Sequence, residues 1–577
     1  MAIGELIRGL RKKTALKNLG KVEPYYPPTQ NVPIGLPKEV NSLCPECGKT
    51  IRAVILEREG KVFMEKTCPD HGFIRDLVYS DAELYKKSER WTYEDGDRIQ
   101  NPQVTGGKSC PRDCGLCDQH ISPPILANID LTNRCNMRCP VCFANANVQG
   151  YVYEPTYEQV VEMLSRLHNI KPFSPPAIQF SGGEPTIYPR FLDILKGARS
   201  MGFSHLQIAT NGIRIAKDLD FAKKAKEAGL YTMYLQFDGT SDDVYKKTRG
   251  LSGLWELKQR AVENARAAEL RIVLVPTIIK TINDDQVGKI LEFAVANSDV
   301  ISGISYQPVA FTGRISTAER EQQRYTLADL ALDIEAQTGL LKAREDWYPL
   351  SVTSPFSKLL SSIWKYDVAK ITCHSDCGLG SYIFVNRKTG SVTPITQAID
   401  IEGFTWELNK LVKQKISNIR ALTALTAQHL LKKFFREERV KDGLTAEICL
   451  ELFQGVVDME AQRRVELIYY WDMLLVGGMH FQDGYNYNVD RVKRCCIHYA
   501  APNGRIYPFC TYNSGPVFRE KIEREFSIPL DEWRKRNRSE AEPLPGRGGL
   551  FPLPNVSSKS GKEKGGWYRL PFFMPRP

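Results

Sequence analysis

The chain has 577 residues, of which 42% are apolar and 25% are charged. This is the composition of an ordinary globular protein with about two to four domains and a sizeable core. The net charge of +11 is mild for this length. It permits contact with anionic lipid headgroups or phosphates without requiring it.

No export or membrane-spanning segment is predicted. No apolar run approaches the roughly 20 residues that a spanning helix needs, and residues 1–21 lack the apolar core and cleavage site of a signal peptide. We therefore expect a cytoplasmic protein. Thiols stay reduced in that compartment, so the fifteen cysteines indicate metal ligation rather than disulfides.

Residues 1–37 predict a basic N-terminus followed by a linker. Apolar residues within 3–10 fall at helical spacing among several Arg and Lys residues. The pattern fits an amphipathic helix on the inner face of a membrane, and it fits a solvated terminal helix equally well. The stretch 24–37 is rich in Pro and predicts the linker.

Residues 38–100 predict a small metal-binding domain. Two knuckles, Cys44-Pro-Glu-Cys47 and Cys68-Pro-Asp-His71, flank two short strand patterns. Three thiolates and one imidazole suit a tetrahedral ion, as in a zinc ribbon or a rubredoxin-like domain. Spacing alone does not separate the metals, so we predict one Fe or Zn ion at these four ligands.

Residues 123–315 alternate strand and helix patterns. Candidate strands cover 125–131, 177–180, 205–209, 232–237, 271–277 and 303–308, with candidate helices at 157–167, 191–201, 216–228, 255–268 and 285–297. Six such units predict a parallel sheet with right-handed crossovers. The fold class is therefore α/β, a partial (β/α)6 barrel of the TIM type. Functional residues of such barrels lie at the C-terminal ends of the strands.

The first of these strands runs into a C-x3-C-x2-C motif formed by Cys135, Cys139 and Cys142. Iron–sulfur clusters normally take four thiolates. Three cysteines on one short loop therefore leave one iron of a [4Fe–4S] cube open to a small molecule, which indicates catalysis. A zinc knuckle, or a four-cysteine cluster with a distant fourth ligand, is the alternative.

This motif after one strand, with Gly182-Gly183-Glu184-Pro185 after the next, resembles the radical S-adenosylmethionine (SAM) superfamily over residues 123–315. The resemblance implies a [4Fe–4S] cluster on the three cysteines, with SAM chelating its open iron. It also implies that Gly182, Gly183 and Glu184 meet the methionine amine of SAM. Two glycines allow a close backbone approach.

Other strand ends offer weaker matches to the superfamily. Asn211 and Asp238 stand where such enzymes contact the sugar or the carboxylate of SAM, and Gln307 stands near the expected adenine. Each is interpreted equally well as a turn residue. Val141 departs from the family, which usually has an aromatic residue there; this affects packing on the adenine and leaves iron ligation untouched.

The other grouped cysteines imply auxiliary clusters. A second C-x3-C-x2-C motif lies in segment 101–122, but no Gly-Gly-Glu strand follows it at the right distance. With two later groups it gives eight thiols, at Cys110, Cys114, Cys117, Cys373, Cys377, Cys495, Cys496 and Cys510. These fill two auxiliary [4Fe–4S] clusters if the adjacent Cys495 and Cys496 serve different sites, as neighbours in a strand can. If only one of them ligates, one cluster has a non-cysteine or open position.

Residues 316–538 predict a mostly helical region that carries the C-terminal auxiliary cysteines. The segments 347–364 and 465–479 are read as apolar helices that line a channel or belong to the core. Residues 539–577 are rich in Gly, Pro, Ser and Lys and predict a disordered tail.

The N-terminal metal site, two auxiliary clusters and the segments 477–481 and 508–513 together resemble the archaeal tetraether lipid synthases, a group at one time described as pterin methyltransferases. The resemblance runs from about residue 40 to 515. It implies hydrogen abstraction from the terminal methyl of an isoprenoid chain on an archaeal diether phospholipid, and carbon–carbon joining of two such ends. SAM supplies the radical, and a reductant such as ferredoxin or flavodoxin supplies the electrons.

Two other interpretations stay open. The same enzyme class can methylate or alkylate a pterin or another heterocycle. Alternatively, the metal sites are structural, in a scaffold that binds nucleic acid. Basic residues are spread along the chain without an aromatic–basic stripe, so we expect no nucleic-acid partner.

Overall fold

The computed structural model describes residues 34–92, 98–147, 150–313, 315–364, 368–413, 420–455 and 465–537. The predicted N-terminal helix and the predicted tail both lie outside the described residues. Within them, no helix combines the length and the apolar character needed to cross a bilayer.

The N-terminal domain is a four-stranded antiparallel sheet in chain order. Its strands are β1 Lys38–Leu43, β2 Thr50–Arg58, β3 Lys61–Cys68 and β4 Gly72–Tyr79. Alternate residues of these strands are buried, as expected for a sheet with one solvated face. The two predicted metal knuckles follow β1 and β3, so both lie at one end of this ribbon.

The predicted strand and helix alternation forms the parallel half of a larger sheet. Its strands are β5 Leu126–Thr132, β7 Ala177–Gly182, β8 His205–Thr210, β9 Leu230–Gln236, β10 Arg271–Val275 and β12 Ile301–Pro308, with short β6 Tyr151–Tyr153 and β11 Thr277–Ile278 beside them. The six neighbours pair in the order β5-β7-β8-β9-β10-β12, all parallel. The predicted α/β class with a partial barrel is confirmed.

Helices cover the outer face of these strands. They are Tyr157–His168, Phe191–Ser200, Ile213–Lys217, Leu219–Ala228, Asp242–Arg249, Leu254–Ala267 and Val287–Ala296. The first begins with a capping box between Thr156 and Gln159, which satisfies two backbone donors at its start. One apolar core joins helices and strands, and it includes Ile129, Phe180 and Leu235.

The C-terminal region extends the same sheet on both sides. Its strands are β13 Tyr348–Pro349, β14 Gly378–Asn386, β15 Val392–Pro394, β16 Trp471–Met479, β17 Ile497–Ala500, β18 Ile506–Pro508 and β19 Ser527–Pro529. Strand β16 pairs with β12 and β17 pairs with β5, both in parallel. Both edges of the six-stranded barrel are therefore covered by strands that the sequence placed in a separate helical region.

One helix, Ala82–Glu89, follows the ribbon. The helices of the C-terminal region are Arg320–Gln323, Leu327–Thr338, Ser354–Trp364, Ile395–Ala398, Ile401–Lys413, Arg420–Phe434, Ala446–Gly455, Val489–Lys493, Phe509–Asn513, Phe518–Glu525 and Leu530–Arg536. The prediction of a helix over 465–479 is wrong, because Trp471–Met479 is a strand. A short apolar run fits a buried strand as well as a buried helix. Here the backbone of 471–479 pairs with β12 on one side and with β14 on the other, which makes it a strand.

Candidate functional site

The three-cysteine loop follows the C-terminal end of β5 and has no regular secondary structure. The side chain of Asn147 holds its backbone in place. Asn147 accepts a hydrogen bond from the backbone N–H of Cys135 (2.9 Å) and donates to the carbonyl oxygens of Cys135 (2.7 Å) and Met137 (3.0 Å). The amide thus replaces the partners that a strand or helix would give this backbone. Sequence reasoning missed Asn147; its place five residues after Cys142 is the available signal.

The three cysteines of this loop are half-buried. Burial raises the pKa of Cys135 well above its ordinary value, and the neighbouring Cys139 thiol raises it further. Burial also raises the pKa of Cys139, against the Arg249 charge. A metal cluster bound there would supply the positive charge that the thiolate form needs.

The Gly-Gly-Glu segment at the end of β7 packs directly on the cysteine loop. Gly183 N–H donates to the Thr132 carbonyl (2.7 Å), and Glu184 N–H donates to the Arg134 carbonyl (2.9 Å). A Cβ atom at Gly182 or Gly183 would clash with those same two carbonyl oxygens. The glycines therefore let β7 approach the loop that holds the thiols.

The Glu184 carboxylate is buried and receives four hydrogen bonds from the chain itself. They come from the N–H of Thr186 (3.2 Å), the hydroxyls of Thr186 (2.6 Å) and Thr210 (2.8 Å), and the N–H of Asn211 (2.8 Å). A carboxylate has about four acceptor positions. Glu184 thus holds the ends of β7 and β8 together, and its contact with the SAM amine stays a prediction.

Asn211 reaches from the end of β8 to the cysteine loop. Its side-chain amide donates to Asn136 Oδ1 (2.6 Å) and lies 4.0 Å from Cys135 Sγ. This places Asn211 beside the thiols, as the barrel rule predicted. Gln307 lies half-buried on β12, paired with Thr277, and its contact with adenine stays a prediction.

Asp238, fully buried at the end of β9, is occupied by Arg249. The guanidinium binds both carboxylate oxygens, and its Nη1 donates to the Val141 carbonyl of the cysteine loop (3.0 Å). Burial alone would raise the pKa of Asp238, but the Arg249 charge outweighs it and the pKa lies below its ordinary value. The pair ties the loop to the barrel; a contact of Asp238 with SAM stays a prediction.

Lys258 connects these anchors beneath the site. Its ammonium nitrogen is buried and donates to the Asn211 carbonyl (2.7 Å) and to Gln236 Oε1 (2.7 Å). Gln236 in turn donates to Asp238 (2.6 Å). Burial lowers the pKa of Lys258 to about 7. In the sequence this lysine looks like an ordinary solvated helix residue, so no local signal identifies it.

The ribbon brings its four predicted ligands together. The ligand atoms of Cys44, Cys47, Cys68 and His71 all lie within 4.8 Å of one another. The Sγ atoms of Cys47 and Cys68 are 3.8 Å apart, and His71 Nδ1 is 3.5 Å from Cys68 Sγ. Zn–S bonds of about 2.3 Å in a tetrahedron give S···S separations near 3.8 Å. The geometry therefore fits one tetrahedral ion.

The other eight grouped cysteines, here called the auxiliary cysteines, gather in the C-terminal half and in segment 101–122. Cys373 and Cys496 are hydrogen-bonded through their thiols, which raises the pKa of Cys373 and lowers that of Cys496. Cys495 instead lies near Cys510 and Cys377. Cys373 also interacts with Cys377 and Cys495, so the division of these thiols between two clusters stays a prediction.

Several buried polar atoms around the auxiliary cysteines lack a hydrogen-bond partner among the described residues. They include the Tyr487 hydroxyl, His480 Nε2 and Arg491 Nε. Buried polar groups in native proteins are nearly always satisfied, so these atoms face a water molecule or a bound group. The two auxiliary clusters stay a prediction.

An apolar wall joins the three-cysteine loop to the auxiliary cysteines. Phe143, next to Cys142, stacks on Phe509 with ring centroids 5.3 Å apart, and Phe509 stacks on Phe481 at 3.9 Å. Phe509 is followed directly by Cys510. A second apolar cluster of Ile279, Val309 and Phe311 packs against Val141.

Comparison with known proteins identifies two domains. A family described as the radical SAM superfamily matches residues 129–294, and one described as the HMPTM N-terminal zinc ribbon domain matches residues 36–80. The first domain implies a [4Fe–4S] cluster and SAM at the three-cysteine loop. The second confirms the N-terminal metal domain predicted from its knuckles.

A relative from Methanocaldococcus jannaschii, named 7,8-dihydro-6-hydroxymethylpterin dimethyltransferase, is 42% identical over 506 residues, covering 87% of this chain and 98% of that protein. The Fe-coproporphyrin III synthase of Methanosarcina barkeri is 29% identical over 39% of this chain and 53% of its own length. Among solved structures, SuiB of Streptococcus suis bound to S-adenosylmethionine is similar with a TM-score of 0.30 and 16% identity, covering 38% of this chain and 48% of that one.

Asn147→Ala should weaken the three-cysteine loop. It removes a partner from three buried backbone groups, each worth about 1–3 kcal/mol when left unsatisfied. We expect iron to leave the reconstituted protein faster, measured as loss of cluster absorbance on air exposure. Asn145→Ala is the matched control: Asn145 also has a positive φ (50° against 64°), and its side chain makes no hydrogen bond among the described residues. Equal decay in both variants would contradict the bracing role.

Lys258→Met should weaken SAM binding if Asn211 contacts SAM as predicted. Removing the Lys258 donor leaves the Asn211 carbonyl unsatisfied, which costs about 1–3 kcal/mol, or roughly 5- to 150-fold in affinity. Equilibrium dialysis with reconstituted protein measures the effect. Lys246→Met, on the exposed side of a neighbouring helix, is the control and should bind SAM like the wild type.

Cys47→Ala should empty the ribbon site and lower the thermal unfolding temperature, because a structural ion contributes folding free energy. Elemental analysis should find at least one Zn or Fe fewer per chain. Cys449→Ala, in a buried apolar cluster away from the other cysteines, is the control. Full metal content in Cys47→Ala would exclude this site.

Proposed function

The chain belongs to the radical SAM superfamily and to the family of its Methanocaldococcus jannaschii relative, and on this premise we propose that it joins isoprenoid chains of archaeal diether phospholipids into tetraethers. It is a radical SAM enzyme with an N-terminal zinc ribbon. The proposal adds the substrate, the carbon–carbon bond and two auxiliary [4Fe–4S] clusters on the auxiliary cysteines.

The apolar wall is the observation that carries the choice of a lipid. It extends from Phe143 beside the cluster loop to Phe509 beside Cys510, in stacked contact. A hydrocarbon chain gains free energy along such a surface, by about 25 cal/mol per Å² buried. A pterin would need donors and acceptors instead, and the buried carboxylates Glu184 and Asp238 are already occupied by the chain.

Unactivated methyl carbons offer no polar handle, so acid–base chemistry does not break their C–H bonds. When bound, the cluster and SAM supply a radical able to take that hydrogen. Joining two methyl ends removes two hydrogen atoms and consumes two SAM molecules and two electrons. A low-potential protein such as ferredoxin or flavodoxin would deliver the electrons.

The residues of the barrel position the reaction. Asn147 and Arg249 hold the backbone of the cysteine loop, and Glu184 and Lys258 hold the strand ends that face it. A reactive radical must meet one carbon and no other, so rigid placement is what the protein contributes. The buried apolar wall also keeps water away from the reacting carbon.

The auxiliary cysteines provide a reason for coupling rather than simple hydrogen abstraction. One activated end must wait, bound, while the second is generated. Three of the auxiliary cysteines, Cys377, Cys495 and Cys510, lie near one another along the same apolar wall. We propose that this site holds the first alkyl end.

We also propose that the protein works at the inner face of the membrane, where its lipid lies and where a charge of +11 favours anionic headgroups.

A second candidate is a radical methyl transfer to a pterin. The name of the Methanocaldococcus jannaschii relative favours it. The same cluster and SAM would serve, and the auxiliary cysteines would relay electrons.

The deciding experiment is anaerobic reconstitution with dithionite and SAM, with archaeal diether lipid in one reaction and 7,8-dihydro-6-hydroxymethylpterin in another. Mass spectrometry should find the lipid product, smaller by two hydrogen atoms per bond formed, and no methylated pterin. The opposite pattern would refute the lipid proposal and support the methyl transfer.

The same assay should distinguish the role of the three-cysteine loop from that of the auxiliary cysteines. Cys139→Ala should lower 5′-deoxyadenosine to background, because it removes a ligand of the cluster that activates SAM. Cys510→Ala should retain 5′-deoxyadenosine and lose coupled lipid. Cys449→Ala should behave like the wild type, and a normal yield of lipid from Cys510→Ala would refute the coupling role.

A further inference from the structure

The N-terminal ribbon touches the segment that leads from β16 to the auxiliary cysteines. We infer that the ribbon and its metal position the auxiliary cysteines, acting through residues 480–488, here called the linking loop, with Lys66 as the main connection. The inference rests on the proposed function only in assigning iron to those cysteines.

Lys66 is the direct link between ribbon and linking loop. From β3 its ammonium nitrogen donates to the carbonyl oxygens of Leu43 (2.8 Å) and Gly484 (2.8 Å) and to the Ser42 hydroxyl (3.1 Å). Lys66 is 3% exposed, so all three donors are used inside the protein. Leu43 immediately precedes the metal ligand Cys44, so one side chain holds both the knuckle and the loop.

The metal knuckle and the linking loop also pack in direct contact. A Cβ atom at Gly484 would lie 3.0 Å from the Cα of Pro45, which stands between the ligands Cys44 and Cys47. Leu43 packs with Tyr487 in a small apolar cluster. The position of the loop therefore depends on the shape of the knuckle, which the bound ion sets.

A buried ion network adds a second connection. Arg324 binds Asp76 on β4 of the ribbon and Asp483 in the linking loop, where its Nη1 lies 2.7 Å from Asp483 Oδ2. All three residues are buried. Buried charges hold fixed positions because separating them leaves an uncompensated charge.

The linking loop forms part of the auxiliary site. Gln482 N–H donates to Cys510 Sγ (3.5 Å), and His480 N–H donates to the Cys377 carbonyl (3.1 Å). The buried Tyr487 hydroxyl lies near the thiols of Cys510 and Cys110 and has no hydrogen-bond partner among the described residues. Moving the linking loop would therefore displace groups that contact Cys377 and Cys510 and a hydroxyl that lies near Cys110.

The test compares Lys66→Met with Lys61→Met in the full-length reconstituted protein. Both lysines lie on β3, but Lys61 is exposed at the far end of the strand. Three readouts are taken: iron and zinc per chain, the rate of alkylation of Cys510 by iodoacetamide followed by peptide mass spectrometry, and 5′-deoxyadenosine formation. The last reports the three-cysteine loop, which Lys66 does not touch.

In Lys66→Met we expect lower iron, alkylation of Cys510 faster by roughly tenfold or more through local opening, and near-normal 5′-deoxyadenosine. Lys61→Met should match the wild type in all three. Gly484→Ala, which presses on Pro45 from the other side, should shift iron and alkylation in the same direction. If Lys66→Met also loses 5′-deoxyadenosine, its fold has failed and Gly484→Ala decides.

Wild-type iron content and Cys510 alkylation unchanged in both variants would overturn the inference and leave the proposed function intact. A wild-type protein with iron for one cluster only would instead remove the proposed auxiliary clusters, while the alkylation rates still report whether the ribbon positions Cys510.

Discussion

The contact between the end of β7 and the loop after β5 is the constraint on which the site depends. Two backbone hydrogen bonds join Gly183 and Glu184 to the loop, and both glycines are needed because any side chain there would strike a carbonyl oxygen. The thiols are thereby held against the mouth of a parallel barrel, where strand ends converge. Asn147, Arg249 and Asn211 act on this same loop.

Around that contact, the buried polar side chains at the barrel mouth form hydrogen bonds and ion pairs within the chain. Glu184, Asp238 and Lys258 are buried and bonded within the chain, which costs less than leaving them unpaired. The apolar side chains nearby pack on each other: Phe143 stacks on Phe509, and Phe311 belongs to the cluster that packs against Val141. The proposal of a hydrocarbon substrate rests on these apolar contacts.

The second organising feature is that the remaining cysteines, apart from those of the ribbon, segment 101–122 and Cys449, lie in loops and short helices next to the strands of a single sheet. Strands β16 and β17 join opposite edges of the barrel, so cysteines more than three hundred residues apart in the chain reach one region. The ribbon then closes over the loop after β16 through Lys66 and Arg324. Metal domain, barrel and auxiliary site thus form one connected unit.

The four-ligand site of the ribbon, the three-cysteine motif and the barrel could all be predicted from the sequence. Cysteine spacing, the Gly-Gly-Glu segment and the regular alternation of apolar runs are local patterns. Such patterns can be recognised in a sequence before the fold is known. The sequence did not determine that 471–479 is a strand, since a short apolar run suits either element, nor the roles of Asn147, Arg249 and Lys258. Those roles arise from contacts between residues distant in the chain. Only the tertiary structure decided them, because burial and hydrogen-bond partners are set by packing and not by sequence neighbours.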